Sequence, residues 1–277
     1  MYLQDISQQL TIYVGICLFI AGIIGNGINI WIFIGKRSYR TTPCTFYFLI
    51  ESIYNILIVC ISLSDRILNI GFDVDIKHES NLWCKIRQFS LAVLSPLSIT
   101  CSCLAMIDQF LVTSRSQSLR NCSQMKWTYR MLIIANIIWF SNGIPYVFYY
   151  NVGSVTNSCV NTNPNFDIYI SIFSLGMLCF IPISVMSLFG WLTYRNIHQT
   201  IALVKQNIDY QLVKMTLFQV GLVIVSFFPY GIYNTYALLT ANLTKNNNRT
   251  NMLISVLSII TLVFYLFNTV NLSFYYF

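Results

Sequence analysis

Seven long apolar runs, divided by short polar segments, organise this chain. They fall at about residues 10–34, 45–68, 86–112, 131–150, 168–193, 212–240 and 252–276. Each is close to, or longer than, the roughly 20 residues a helix needs to cross the hydrocarbon core of a bilayer. The runs are continuous, whereas the strands of a membrane barrel would alternate apolar and polar residues. At that depth no water is available to the backbone, so each run must close its hydrogen bonds within itself, as a helix does. The pattern predicts an all-α membrane protein, a seven-transmembrane helix bundle, with residues 1–277 forming one domain.

Charge refines this picture. Only 9% of the 277 residues are charged while 56% are hydrophobic, too few charges to coat a soluble protein of this size. The net charge of +7 raises nucleic acid as a partner, but its distribution assigns it to topology instead. Lys36, Arg37 and Arg40 stand in the first connection, and Arg115, Arg120, Lys126 and Arg130 in the third, with no acid in either. The fifth has Arg195, Lys205 and Lys214 against Asp209. The second holds Asp65, Asp73, Asp75 and Glu79 beside Arg66 and Lys77, and the fourth only Asp167. Basic connections mark the cytoplasmic side. The expectation is an integral protein of the plasma membrane, N-terminus outside and C-terminus inside, with lipid headgroups as partners. The first run reads as a signal anchor, longer than a leader's apolar core and with no basic residue before it. No lipidation motif stands at either end.

The cysteines and the buried polar residues carry the next signals. Of nine cysteines, Cys17, Cys60, Cys101, Cys103 and Cys179 lie in the runs, Cys44 and Cys122 on the expected cytoplasmic side, and Cys84 and Cys159 outside. An oxidising compartment invites a disulfide between the last two, with a pair of free thiols as the alternative. Asn242-Leu243-Thr244 and Asn248-Arg249-Thr250 are glycosylation sequons on an expected external loop. Pro96, Pro145, Pro182 and Pro229 interrupt four of the runs, each removing a backbone bond and inviting a kink. Asn26, Asn55, Ser98, Asn268 and Asn271 sit at membrane depth, and Glu51 lies one turn before Asn55. Such groups must meet one another or water inside the bundle. An acid at that depth is a functional candidate, with a structural carboxyl as the alternative.

Several motifs stand in a telling order. Gly25-Asn26, Trp83-Cys84, Asp108-Gln109-Phe110, Trp139, Pro182, Ser226-Phe227-Phe228-Pro229 and Asn271-Leu272-Ser273-Phe274-Tyr275 resemble, helix by helix, the motifs of the rhodopsin-like (class A) G-protein-coupled receptors. The resemblance is to a divergent member and covers the chain from Asn26 to Tyr275. It implies a receptor that binds an extracellular ligand and passes the signal to a heterotrimeric G protein by shifting between two bundle packings. The switch residues it implies are Asp108, Gln109, Phe110, Asp209, Phe227, Pro229, Asn271 and Tyr275. Arg115, Arg120, Lys205 and Lys214 would border the cytoplasmic cleft.

The departures set further expectations. Gln109 stands where the family has an arginine, so a lock with Asp209 can only be a hydrogen bond, about half as strong as a charge-assisted one. Higher basal activity or altered coupling is the expected result. Asn55 stands where the family has an aspartate that holds sodium. A hard cation wants carboxylate oxygen, so sodium dependence should be weak unless Glu51 substitutes. Phe227 replaces a tryptophan and Leu272 a proline.

By family position Leu91, Ser95, Tyr230, Asn234, Thr261 and Tyr265 line an outer ligand cavity. Leu91 replaces the aspartate of amine receptors, which argues against an amine. The acidic stretch Asp73, Asp75 and Glu79 can draw a basic peptide, so a peptide is the favoured ligand, a small molecule the other. Two further readings stay open. A transporter or channel would want internal repeats and midplane charges, which are missing. A receptor-shaped chain that has lost signalling is kept open by Gln109, Leu272 and the end at Phe277, where the family usually continues into an eighth helix. Catalysis finds no footing. His78 and His198 lie in connections, and no metal, phosphate-loop or nucleophile-elbow pattern appears. No basic-aromatic strip suggests nucleic acid. No enzyme activity, cofactor or metal is expected.

Overall fold

The structure, a computed structural model, describes residues 2–35, 42–72, 80–153, 159–199, 207–240 and 247–269. Seven long helices account for nearly all of them. α1 spans Tyr2–Gly35. α2 begins at Pro43–Ile58 and continues through Val59–Leu63, Ser64–Arg66 and Ile67–Gly71. α3 spans Asn81–Thr113 and α4 Met125–Tyr149. α5 begins at Pro164–Phe173 and runs through Ser174–Phe180 into Ile181–Gln199. α6 spans Asn207–Thr240 and α7 Asn247–Thr269. A single turn, Gln117–Arg120, separates α3 from α4. Between α4 and α5 the chain forms a hairpin, β1 Tyr150–Val152 against β2 Cys159–Asn161, antiparallel with Val152 opposite Cys159.

Local sequence explains the starts. Ser80 is extended, and its side chain accepts from the Trp83 N–H, satisfying one of the donors a helix start leaves open. Asn163 does the same for Asn165, with Pro164 at the first position of α5, where a missing N–H costs nothing. α1 to α5 are long and apolar enough to cross a membrane, while the stretches in α6 and α7, Leu217–Tyr233 and Ile259–Thr269, are shorter among the described residues.

α3 stands inside the bundle, packed against α2, α4, α5 and α6, while α1 closes the ring by packing on both α2 and α7. The main core gathers Ile58, Val59, Leu94, Ile99, Met186, Val223, Phe227 and Phe267 around it. The outer surface is the reverse of a soluble protein's. On α4, Ile133, Ile134, Ile137 and Ile138 are 51–63% exposed, an apolar face that only lipid leaves without cost. The opposite face of α4 packs close to α3. A Cβ on Gly143 would lie 2.4 Å from Val93 and 2.8 Å from Phe89, so glycine is what lets the two helices approach. This is the way membrane helices gain packing without a hydrophobic driving force between them.

The helices outrun the apolar stretches, and several expected connections shrink accordingly. Asp65 and Arg66 lie within α2, not in the loop after it, and Cys44 is buried in its first turn. Lys126 and Arg130 belong to α4, Asp167 and Arg195 to α5, and Lys214 and Asn248 to α6 and α7. The physical reason is that a helix does not stop where hydrocarbon stops. Charged side chains at its ends reach the interface on long stems or, like Asp65, meet a partner inside the bundle, so the hydropathy boundary sits one or two turns inside the helical one. Asn242, Asn271 and Tyr275 lie outside the described residues, as do the side chains of Asp209, Asn234 and Asn248.

Cys84 and Cys159 form a disulfide over a separation of 75 residues, pinning the hairpin to the start of α3. Closing a loop of that length removes up to about 4 kcal/mol of chain entropy from the unfolded state. Replacing both cysteines by serine should therefore lower the thermal midpoint of the lipid-embedded protein by several degrees, measured by a fluorescence melt. An unchanged midpoint would show that the bond constrains nothing.

Candidate functional site

At the disulfide end the helices part around a cavity of about 340 Å³, within the size range of small-ligand sites. Its wall includes five of the six residues expected there, Leu91, Ser95, Tyr230, Thr261 and Tyr265. The side chain of the sixth, Asn234, lies outside the described residues. β1 and the end of α4 close one side with Tyr150 and Tyr146, whose rings stack at 6.0 Å. Burial pushes the Tyr150 phenol up to about 12, so it is a neutral donor at any ordinary pH.

Two residues that sequence reasoning missed also line the cavity, Arg66 and Arg87. Arg87 belongs to a clasp between α2 and α3. Asp65 is 2% exposed. Its Oδ1 accepts the Trp83 indole N–H at 3.0 Å, and its Oδ2 lies 2.7 Å from Arg87 Nε. Trp83 and Arg87 flank Cys84, so the disulfide and the ion pair fix the same turn of α3. A signal for Arg87 did exist in the sequence, since it stands one helical turn beyond Cys84. For Arg66 the signal was hidden by the first of two π turns in α2, Val59–Leu63, the second, Ile67–Gly71, coming after it. Each adds a residue to the turn and re-aims the side chains beyond it.

Beneath the cavity a line of aromatic contacts descends. Tyr230 meets Phe264 at 5.1 Å, and Phe264 meets Phe227 at 4.9 Å. Phe227 is 1% exposed and also abuts Phe267 at 5.2 Å. Phe227 thus forms an aromatic plug in the core beneath the cavity. Its carbonyl accepts from Cys179 Sγ at 3.0 Å, which ties α6 to α5.

Below the plug the expected polar residues meet in pairs rather than in one pocket. Asn26 Nδ2 donates to the carbonyls of Gly22 and Asn268 at 2.8 and 2.9 Å. Ser98 Oγ donates to Asn55 Oδ1 at 2.6 Å. Glu51, fully buried, makes a different set. Its Oε1 accepts from Gln219 Nε2 at 2.5 Å, and the same amide donates to Ser102 Oγ at 2.8 Å. One glutamine of α6 thus grips α2 and α3 together. Gln219 was not anticipated; a lone glutamine in an apolar run was the only hint of it. At the far end of α3, Asp108 Oδ1 accepts from Ser123 Oγ at 2.5 Å, and Phe110 packs on Phe189 of α5 at 5.4 Å. Gln109 is 3% exposed, with its carbonyl capped by Thr113 Oγ1 at 2.8 Å. Whether it meets Asp209 lies outside the described side chains.

The family model described as 7 transmembrane receptor (rhodopsin family) matches residues 25–273. The chain belongs to that family. It is an integral membrane protein and a receptor of the G-protein-coupled type, not an enzyme. Comparison with curated proteins finds no match.

The clasp makes a firm stability statement. Removing one partner of a buried ion pair strands the other and costs about 3 kcal/mol or more, whereas replacing both by apolar residues of similar volume is often close to neutral. Asp65→Ala should markedly lower the thermal midpoint, and Asp65→Leu combined with Arg87→Met should recover most of the loss. Equal losses in the two proteins would mean that the charges themselves are not what the site must balance.

Proposed function

We propose that the chain binds an extracellular ligand in the cavity at the disulfide end and signals to a heterotrimeric G protein at the opposite end. The orientation follows the basic connections of the sequence, which place the disulfide end outside the plasma membrane. The ligand is a small molecule or the end of a peptide, and not an amine, because Leu91 offers a cation no counter-charge. One observation carries the reading. α6 touches the cavity through Tyr230, holds the plug Phe227, and two turns further on grips α2 and α3 through Gln219. A ligand that favours one placement of Tyr230 and Phe264 therefore biases the clamp without touching it. Differential affinity for two packings is all that such a switch requires.

Gln109, Phe110 and Asp108 stand at the coupling end in this reading, with Asp209, Asn271 and Tyr275 assigned to it by their place in the sequence. Asn26, Asn55, Ser98 and Asn268 hold α1, α2, α3 and α7 while α6 moves. Glu51 is engaged with Gln219 and Ser102, so the Asn55–Ser98 pair gains no carboxylate from it, in keeping with weak sodium dependence. Asn242 and Asn248 are the glycosylation candidates.

The test is direct. The purified chain in lipid nanodiscs, given G proteins of several classes, is expected to accelerate guanine-nucleotide exchange over empty discs. Failure with every class, in the natural chain and in Gln109→Arg alike, sinks the receptor reading. The clamp has its own consequence. Gln219→Leu removes the arm by which α6 holds α2 and α3, worth about 1 kcal/mol, so basal exchange should rise about fivefold. Glu51→Gln keeps an acceptor opposite Gln219 and should stay near the natural rate. A fall in basal exchange in Gln219→Leu would show that the grip supports the active packing instead.

A further inference from the structure

We propose that Glu51 carries a proton and forms with Gln219 a carboxylic acid–carboxamide pair, and that parting this pair releases the proton to water, so that the two packings of the bundle are linked to pH. The pair stands on the geometry of the interior. Its link to signalling rests on reading the chain as a receptor whose α6 moves.

Two bare acceptors are the first ground. Glu51 is fully buried, and its Oε1 accepts from Gln219 Nε2. The other oxygen of each group, Glu51 Oε2 and Gln219 Oε1, is buried with no partner. Both can only accept while Glu51 is a carboxylate. They belong to planar groups already joined by one hydrogen bond. A proton on Glu51 Oε2 makes that oxygen a donor, and the acceptor across the pair is Gln219 Oε1. The ring then closes with two bonds, one in each direction. No other donor competes for the place. Gln219 Nε2 also donates to Ser102 Oγ at 2.8 Å. Asn55 Nδ2, one turn along α2, is itself buried without a partner, so it does not bond the carboxyl.

Charge is the second ground. An unpaired carboxylate in a dry interior is costly enough that such a group takes up a proton instead. Among the described residues no cation acts on Glu51, whose partners Ser102 and Gln219 are neutral. From α3 the thiols of Cys101 and Cys103 are within its electrostatic reach. On α2 the tyrosines one turn to either side, Tyr47 and Tyr54, bond Thr128 and Asn136. α1 and α7 bring the neutral amides Asn26, Asn29 and Asn268 into the buried interior. On α6 the side chains of Asp209 and Lys214 lie outside the described residues.

The proton follows the motion of α6. When Gln219 withdraws, water takes its place beside the acid. The O–H bond then breaks, its proton passing to water as hydronium and its electron pair staying on a hydrated carboxylate. One proton is released on opening and regained on closing. Rising pH therefore favours the open packing.

The experiment uses the full chain in lipid nanodiscs. Its infrared spectrum at neutral pH should hold a carboxylic-acid C=O band that is lost in Glu51→Gln. In Gln219→Leu the acid loses the amide, and the same band should move to higher frequency, which keeps the test decisive if Glu51→Gln does not fold. A spectrum in which neither variant removes or moves such a band overturns the proposal. The linkage has two readouts. The folded chain holds one proton more than the unfolded, so the thermal midpoint should fall with rising pH more steeply in the natural chain than in Glu51→Gln. Basal nucleotide exchange should rise with pH, by up to about tenfold per unit, with a slope that Glu51→Gln lacks. Parallel pH profiles in the two proteins overturn the linkage. The band and the midpoint shift without any exchange remove the receptor reading alone, and exchange without the band removes the proton alone.

Discussion

Taking an ion out of water costs several kcal/mol even after the surroundings relax, and a chain that is 9% charged and folded in lipid has few partners with which to offset that cost. Its interior charges are accordingly gathered at a few levels of the bundle. At the disulfide end Asp65 meets Arg87 and Trp83, with Arg66 beside them. At mid-bundle Glu51 meets Gln219 and Ser102. At the far end Asp108 meets Ser123. α3 supplies a partner at every level, which explains why it is the helix held inside the others. A helix that must answer charge at three depths is held largely within the bundle.

The same constraint separates rigid from movable parts. α1, α2, α3 and α7 are joined by amide and hydroxyl contacts such as Asn26 to the Asn268 carbonyl and Ser98 to Asn55. Among the described residues α6 is joined to them through apolar contacts of Phe227 and through Gln219. Packed aromatic rings can re-pack at small cost when the volume they fill is conserved. A single amide can release two acceptors at once. Among the described residues one amide, that of Gln219, ties α6 to α2 and α3, although α6 runs the whole height of the bundle.

Much of this was legible in the residues, and the hidden parts were hidden for physical reasons. The seven helices follow from runs of apolar residues that have no other stable form in lipid, and the disulfide from the compartments those runs define. Leu91, Ser95, Tyr230, Thr261 and Tyr265 converge because the spacing of motifs along α3, α6 and α7 fixes which faces turn inward. Arg66 escaped notice because periodicity arguments assume a uniform helix, and a π turn just before it breaks the period of α2. The hairpin escaped because three-residue strands are too short to show alternation. Gln219 escaped because one polar residue in an apolar run says nothing of its partner, and that partner, Glu51, lies 168 positions away.

The replacement of an expected arginine by Gln109 acquires a context in this arrangement. An ion pair near the end of a bundle is partly solvated, and screening limits its strength. A hydrogen bond to a carboxyl group deep in the interior is felt in a lower dielectric and is strengthened accordingly. In the proposed reading, a chain with no charge at Gln109 and the Glu51 carboxyl group opposite Gln219 restrains α6 from the core rather than from the rim. Restraint at the core acts closer to Phe227, two turns away on the same helix. A smaller displacement at the cavity is then enough to strain it. The cost is that the clamp must be broken in a place water cannot reach, where the released amide and carboxylate need new partners at once. For the switch proposed above, such a clamp would favour two well-defined packings with little between them, which is what a bistable element requires.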